Sequence, residues 1–149
     1  MNVRVAQTFP GTVPAVERRW YHTGSWASWV DGLAHVLSTS PDWPAAGAVV
    51  VWESGPAGRG RVRERVVSYE PLSRQTVEVH DDSIDGRQSV SFQAVEEGVQ
   101  VELELDYRIR RRSIVTPLVD RLFVRRAMAS SLQATLARFG AHLAGANPD

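Results

Sequence analysis

The C-terminal part of the sequence contains one long amphipathic segment, from Pro117 to Leu143. Its apolar residues recur at steps of three and four, which places them on one stripe of an α-helix; they are Leu118, Leu122, Ala129, Leu132, Leu136, Phe139 and Leu143. Thr116 suits the N-cap, and Pro117 suits the first helical position. A helix of this length extends about 40 Å, so it needs a broad apolar surface to pack against.

The preceding sequence supplies such a surface, because it is rich in alternating, strand-like segments. The clearest is Val99 to Ile109, in which apolar and polar residues alternate without interruption. The other predicted strands are Asn2–Phe9, Leu33–Ser38, Ala48–Glu53, Arg61–Tyr69, Gln75–His80 and Gln88–Val95. Two short helices are predicted after the first strand, one capped by Thr12 and one around Trp26 and Trp29. The stretch Asp81–Gly86 is predicted to be a loop.

This order of elements predicts an α+β fold, with a curved antiparallel sheet of six to seven strands wrapped around a long C-terminal helix. Short turns between consecutive strands, such as Glu96–Gly98, indicate antiparallel pairing. The apolar face of such a sheet must be covered, and only the terminal helix is long enough to do so. The chain of 149 residues suits one domain, which we expect to span residues 1–149.

Two residue types are missing from the sequence, and each absence excludes a class of chemistry. There is no cysteine, and all 17 basic side chains are arginine. Thiolate nucleophiles, disulfides, Cys-based zinc sites, Schiff bases and phosphate-loop lysines are therefore excluded. The histidines have no ligand spacing, and the acids that follow His80 are expected in a turn in any case. We expect no metal and no cofactor.

Charge is unevenly distributed along the chain although its net value is zero. Glu70–Asp106 carries ten acids and two arginines, whereas Tyr107–Asp149 carries eight arginines and two acids. We interpret this as mutual neutralisation across the fold; an anionic partner is the alternative. Without net positive charge, nucleic-acid binding is not expected.

Membrane association and location are also addressed by the sequence. No apolar run is long enough to span a bilayer, and the N-terminal residues do not have the pattern of a signal peptide, so a cytoplasmic location is expected. The basic run formed by Arg108 and Arg110–Arg112 favours a solvated loop over contact with a membrane surface.

Three short motifs, taken in order, are typical of a known family. They are Trp26–Trp29 (WASW), Trp43–Gly47 (WPAAG) and Val66–Pro71 (VVSYEP), followed by the hairpin at Gly98 and the terminal helix. Over nearly its whole length the chain resembles the START-like (SRPBCC) superfamily with the helix-grip fold, most closely its polyketide cyclase/dehydrase branch. The resemblance implies a cavity between sheet and helix that is open to apolar ligands. It implies no particular reaction, because the superfamily has no shared catalytic set.

Glu64 is the acid to which the pattern points most directly. Alternation places Val62, Glu64 and Val66 on one face of a strand whose other face carries arginines. Because arginines prefer water, Glu64 should point inward, where a carboxylate is costly unless it is paired or protonated. It is either a ligand-contacting or acid–base residue, a member of a structural salt bridge, or an outward residue in a shifted register.

Arg125 is the predicted counterpart of Glu64. By helical projection it lies within the apolar stripe, next to Arg121. Both side chains either extend to water or form a cationic rim at the cavity mouth that holds a carboxylate, phenolate or carbonyl group. The other residues predicted to contact a ligand are Trp52, Phe92, Leu105, Tyr107 and Leu132. The hydroxyl of Tyr107 would then need a buried partner.

The sequence and the resemblance together predict binding or transport of an apolar small molecule, such as a lipid, a polyketide or a quinone-like compound. One alternative is a polyketide cyclase or dehydratase in which Glu64, Arg125 or Tyr107 moves protons. Another is an interaction module that delivers a lipid or quinone. Ligand identity, catalytic residues and oligomeric state stay open.

Overall fold

The computed structural model describes residues 1–56, 58–110 and 118–145, without the side chains of residues 118–121. The described chain contains seven strands, three α-helices and a 3₁₀ turn at Thr23–Ser25. The strands are β1 Asn2–Phe9, β2 Leu33–Thr39, β3 Val49–Ser54, β4 Arg61–Glu70, β5 Arg74–His80, β6 Ile84–Val95 and β7 Gly98–Ile109. The helices are α1 Val13–Trp20, α2 Trp26–Trp29 and α3 Leu118–Gly145.

The strands form one antiparallel sheet in the order β1-β7-β6-β5-β4-β3-β2. Strands β2 to β7 are neighbours in chain order, and β1 pairs with β7, from Asn2 opposite Asp106 to Phe9 opposite Val99. Register shifts in the β2–β3 pair and between Val66 and Ser68 of β4 increase the twist and curvature of the sheet. The predicted fold class is confirmed: a curved antiparallel sheet, two short helices after β1 and a long C-terminal helix.

The inner face of the sheet is apolar because the strands alternate as predicted. In β7 the residues Val99, Val101, Leu103, Leu105 and Tyr107 are all buried. Helix α3 covers this face with Leu132, Leu136 and Phe139. Thr12 caps α1 as predicted, since its Oγ1 accepts a hydrogen bond from Ala15 N at 3.4 Å.

Strand β6 begins at Ile84 rather than at Gln88, so the predicted Asp81–Gly86 loop is wrong in its second half. Asp81 Oδ1 accepts hydrogen bonds from the backbone N–H groups of Ser83 and Ile84, which completes the turn within a few residues. Ile84 is then buried and pairs with Ile109. The turn-like Asp85-Gly86 pair belongs to the strand, because Asp85 pairs with Arg108 and Gly86 with Tyr107. Glycine suits position 86, since a Cβ there would lie 2.6 Å from the carbonyl oxygen of Asp106.

The apolar stripe of α3 is buried only toward its C-terminal end. Leu122 is 49% exposed, although it belongs to the predicted stripe, and its neighbour Phe123 is 72% exposed. The expected cap residue Thr116 and Pro117 lie outside the described residues. No helix in the described part of the chain is both long enough and apolar enough to cross a bilayer.

Candidate functional site

A small enclosed volume, which we call the interior space, lies between the sheet and α3. It measures about 60 Å³. Its sheet side is formed mainly by Trp52, Glu64, Val77, Val79 and Leu103, and its helical side by Ser131, Leu132 and Thr135. Sites for drug-sized ligands usually measure about 300–1,000 Å³. The interior space therefore admits only a small group unless the surrounding side chains move.

Aromatic side chains fill much of the remaining volume between sheet and helix. Trp29 packs against Trp20 and Phe139, with ring centroids 4.8 Å away in both cases. Phe9 meets Phe139 edge-to-face at 5.3 Å. These rings come from β1, α1, α2 and α3, so they join the short helices to the long helix and the sheet edge.

Glu64 borders the interior space and has one hydrogen-bond partner among the described residues. Trp52 Nε1 donates to Glu64 Oε2 at 2.7 Å. Val50 lies opposite Glu64, and Trp52 opposite Val62, in the β3–β4 pair; Trp52 and Glu64 are thus diagonal neighbours on one face, within reach of a long side chain. The predicted inward orientation of Glu64 is confirmed.

The surroundings of Glu64 favour its neutral form. Burial raises the pKa of its carboxyl, while the hydrogen bond from Trp52 and the positive charge of Arg59 oppose part of that rise. The pKa stays above its ordinary value because removal from water disfavours the charged carboxylate more than these two contacts favour it. Glu64 is the one described Asp or Glu whose pKa is clearly raised.

Arg59, rather than Arg125, is the cation next to Glu64. The Arg59 guanidinium lies 5.7 Å from the Trp52 ring centroid, within the range of a cation–π interaction. Arg59 Nε donates to Asp81 Oδ2 at 2.5 Å, and the Asp81 side chain is completely buried. Asp81 also accepts from two backbone N–H groups, so this buried carboxylate orients the Arg59 side chain beside the interior space.

A second set of polar contacts closes the interior space where α2 meets α3. This Asp31 cluster consists of Asp31, Ser131, Thr135 and Arg138. Ser131 Oγ donates to Asp31 Oδ2 at 2.8 Å, and Asp31 N donates to Thr135 Oγ1 at 3.0 Å. Arg138 adds an ion pair with Asp31 at 3.3 Å. These contacts attach the residues after α2 to one face of α3.

Replacing Asp31 with alanine is expected to loosen this connection and to lower the free energy of unfolding by about 1–2 kcal/mol. Amide hydrogen exchange in residues 30–33 and 128–138 should become faster, because Ser131 and Arg138 lose their acceptor. Exchange measured by mass spectrometry on D31A and wild type tests this expectation. R138A is the matched control; its partly exposed ion pair contributes about 0–1 kcal/mol. Equal exchange in D31A and wild type would contradict the proposed connection.

The structure distributes the seven predicted ligand-contacting residues over three environments. Glu64, Trp52 and Leu132 border the interior space. Phe92, Leu105 and Tyr107 are buried on the same inner face of the sheet but outside that lining. Arg125 is exposed on α3. The side chain of Arg121 is not among those described.

Tyr107 and Arg125 influence each other rather than Glu64. The Tyr107 hydroxyl is within 3.9 Å of Met1 Sδ, a weak acceptor; Met1 is exposed, so the expected buried partner is not found there. Burial raises the pKa of Tyr107, and the positive charge of Arg125 opposes part of that rise. Sequence reasoning did not single out Arg59, Asp81 or Asp31, because turn residues carry no periodic signal that shows where they point.

Comparison with known proteins places this architecture in a family. The family profile described as "Polyketide cyclase / dehydrase and lipid transport" matches residues 1–144, so the chain belongs to this family. No protein with curated function is detectably similar in sequence.

Several solved structures share the fold at low sequence identity. A START superfamily protein from Mycobacterium smegmatis superposes with a TM-score of 0.78 at 9% identity, covering 98% of this chain and 99% of that one. The di-domain ARO/CYC protein StfQ from the steffimycin biosynthetic pathway gives 0.76 at 14% identity, covering 94% and 49% of the two chains. Norcoclaurine synthase from Thalictrum flavum gives 0.71 at 7% identity, covering 100% and 89%. At these identities the likeness concerns the fold.

Proposed function

We propose that this protein binds an apolar small molecule at the interior space, with Glu64 at its polar end. The observation that carries the proposal is a carboxyl group on the inner face of the sheet, bordering the interior space; apolar side chains form most of that face, and the other polar side chains there are the uncharged Gln75 and Gln88. An apolar residue at this position would make the fold more stable, because a buried polar group costs free energy when its hydrogen bonds are incomplete. Membership of a family that includes lipid-transport proteins supports the same conclusion.

Binding requires the interior space to enlarge, since about 60 Å³ is too small for a lipid or a polycyclic compound. The polar side chains that border it include Arg59 and three members of the Asp31 cluster: Asp31, Ser131 and Thr135. The Arg59 side chain is partly exposed and is attached through Asp81 and Trp52. We propose that movement of Arg59, together with the residues after α2, admits the ligand.

A second candidate function is acid–base catalysis by the same residue, as in a cyclase or dehydratase. The observation that favours it is the raised pKa of the Glu64 carboxyl. A group that keeps its proton nearer to neutral pH is a better general acid than an ordinary carboxyl group. Two of the structural neighbours are named as an ARO/CYC protein and a synthase, so enzymes occur on this fold.

Native mass spectrometry of freshly purified protein tests the binding proposal. We expect a retained small molecule in the wild type and its loss in Val77→Phe, which fills the interior space. Val101→Phe is the matched control, because Val101 is equally buried but does not border that space. Both substitutions overpack the core at about 1–3 kcal/mol, so circular dichroism must show that both variants fold. Equal retention by the two variants would place the ligand elsewhere.

The raised pKa of Glu64 predicts a specific pH dependence of stability. Folding favours the protonated carboxyl, so its stabilising contribution is fully present below the ordinary pKa of 4.5 and is lost as pH rises through the higher pKa of the folded protein. Glu64→Gln does not titrate. The free energy of unfolding of wild type relative to E64Q should therefore decrease as the pH rises above 4.5. Urea denaturation across this range measures it, and a pH-independent difference would contradict the assignment.

A further inference from the structure

We infer that Glu64 acts as a hydrogen-bond donor through Oε1, so that the ligand presents an uncharged acceptor oxygen, such as a carbonyl, to this residue. The inference rests on the proposed function and adds to it the chemistry of the ligand's polar end. It also assigns Trp52 a positioning role, because the contact between Trp52 and Glu64 orients the carboxyl group.

The contact with Trp52 determines which oxygen of the neutral Glu64 carboxyl carries the proton. An indole N–H can only donate, and Trp52 Nε1 donates to Oε2 at 2.7 Å. In the neutral acid, Oε2 is then the carbonyl-type acceptor, and Oε1 is the hydroxyl oxygen. Trp52 is buried in the core, so its indole N–H stays directed at Oε2.

The Oε1 proton has no acceptor among the described residues. Within the described part of the chain, Trp52 is the one hydrogen-bond partner of Glu64, and Oε1 is not among the fully enclosed polar atoms that lack a partner. Oε1 therefore keeps some accessible surface, and Glu64 borders the interior space. A ligand that enters this space with an acceptor oxygen can pair with the Oε1 hydroxyl. A ligand without one would bury the O–H donor unpaired, which costs about 1–3 kcal/mol.

The charged groups that face Glu64 from neighbouring elements already have partners of opposite charge. Arg59, from the β3–β4 connection, and Asp31, after α2, border the same space. Asp81 accepts from Arg59, and Asp31 accepts from Ser131 and forms an ion pair with Arg138, so these charges are already paired. The other side chains that line the space are uncharged apart from Glu64 itself. Most are valine, leucine and tryptophan, which suit the carbon skeleton of an uncharged ligand.

Acetophenone and ethylbenzene provide a matched test, because they have similar size and only the ketone has an acceptor oxygen. Both compounds are titrated into wild type, E64Q and E64L, and binding is followed by NMR through the signal of the Trp52 indole N–H. This signal is identified by its absence from the spectrum of W52F. Wild type should bind acetophenone about tenfold more tightly than ethylbenzene. E64Q should keep this preference, because its amide oxygen accepts from Trp52 and its amide N–H donates to the ketone. E64L should lose it.

The pH dependence provides a second readout. The preference of wild type for acetophenone should decline once Glu64 ionises, whereas that of E64Q should not change with pH. Equal binding of both compounds by wild type and E64L would overturn the donor role of Glu64 and leave the proposed binding function standing. If neither compound changes the Trp52 indole signal, both the binding function and this inference are overturned.

Discussion

Replacing Trp29 with alanine is expected to lower the free energy of unfolding by about 3–5 kcal/mol. Trp29 is 1% exposed, and its ring contacts rings from three other positions: Trp20, Trp26 and Phe139. Its Nε1 also donates to Ser25 Oγ at 3.0 Å. The substitution removes a large apolar surface and leaves a cavity where α1, α2 and α3 meet, and the surrounding helices can collapse into it only partly.

Urea denaturation followed by circular dichroism measures this loss. Trp29→Phe should cost less than the alanine substitution, because a smaller ring retains part of the edge-to-face packing. Phe123→Ala also removes an aromatic ring, but from a position on α3 that is 72% exposed. It should change the free energy of unfolding by no more than about 0.5 kcal/mol. A W29A effect as small as that of F123A would show that the aromatic packing does not stabilise the fold.

The second large effect is expected at Asp81. Its carboxylate accepts hydrogen bonds from Ser83 N, Ile84 N and Arg59 Nε, and no part of its side chain is exposed. Asp81→Ala leaves the buried N–H of Ile84 without an acceptor and Arg59 without its ion-pair partner. We expect the free energy of unfolding to fall by about 2–3 kcal/mol. Loss of the ion pair adds little to this figure, because Arg59 is partly exposed to water.

Asp81→Asn separates the two roles of this carboxylate. Its amide oxygen can still accept from Ser83 and Ile84, whereas its amide N–H₂ faces Arg59 and cannot pair with it. We therefore expect D81N to have a higher free energy of unfolding than D81A. Ligand affinity should change in D81N in the same direction as in Arg59→Ala, because both variants lose the Arg59–Asp81 ion pair. Denaturation of the three variants, with hydrogen exchange over residues 81–87, measures both effects. Equal stability of D81A and wild type would contradict the role of Asp81 in starting β6.

The sequence was sufficient to predict the fold class and most element positions, because these depend on periodicity between near neighbours. The alternation of Val99–Ile109 placed six residues on the inner face of β7, of which all but the half-buried Ile109 are buried. The arginines flanking Glu64 in sequence indicated that it points inward. Both follow from the two-residue period of a strand. The start of β6 was not predictable in the same way, because Asp85 and Gly86 are typical turn residues. Their place in the strand depends on pairing with Arg108 and Tyr107.

The site depended on contacts between residues far apart in the chain, for which the sequence has no local signal. Asp31 meets Ser131 across 100 positions, and Arg59 rather than Arg125 proved to be the cation beside Glu64. The three-dimensional packing also set the volume of the interior space, since tryptophan rings from α1, α2 and β3 border it. Periodicity shows which face of an element a side chain occupies. Only the arrangement of the elements determines which faces meet and how much space they leave.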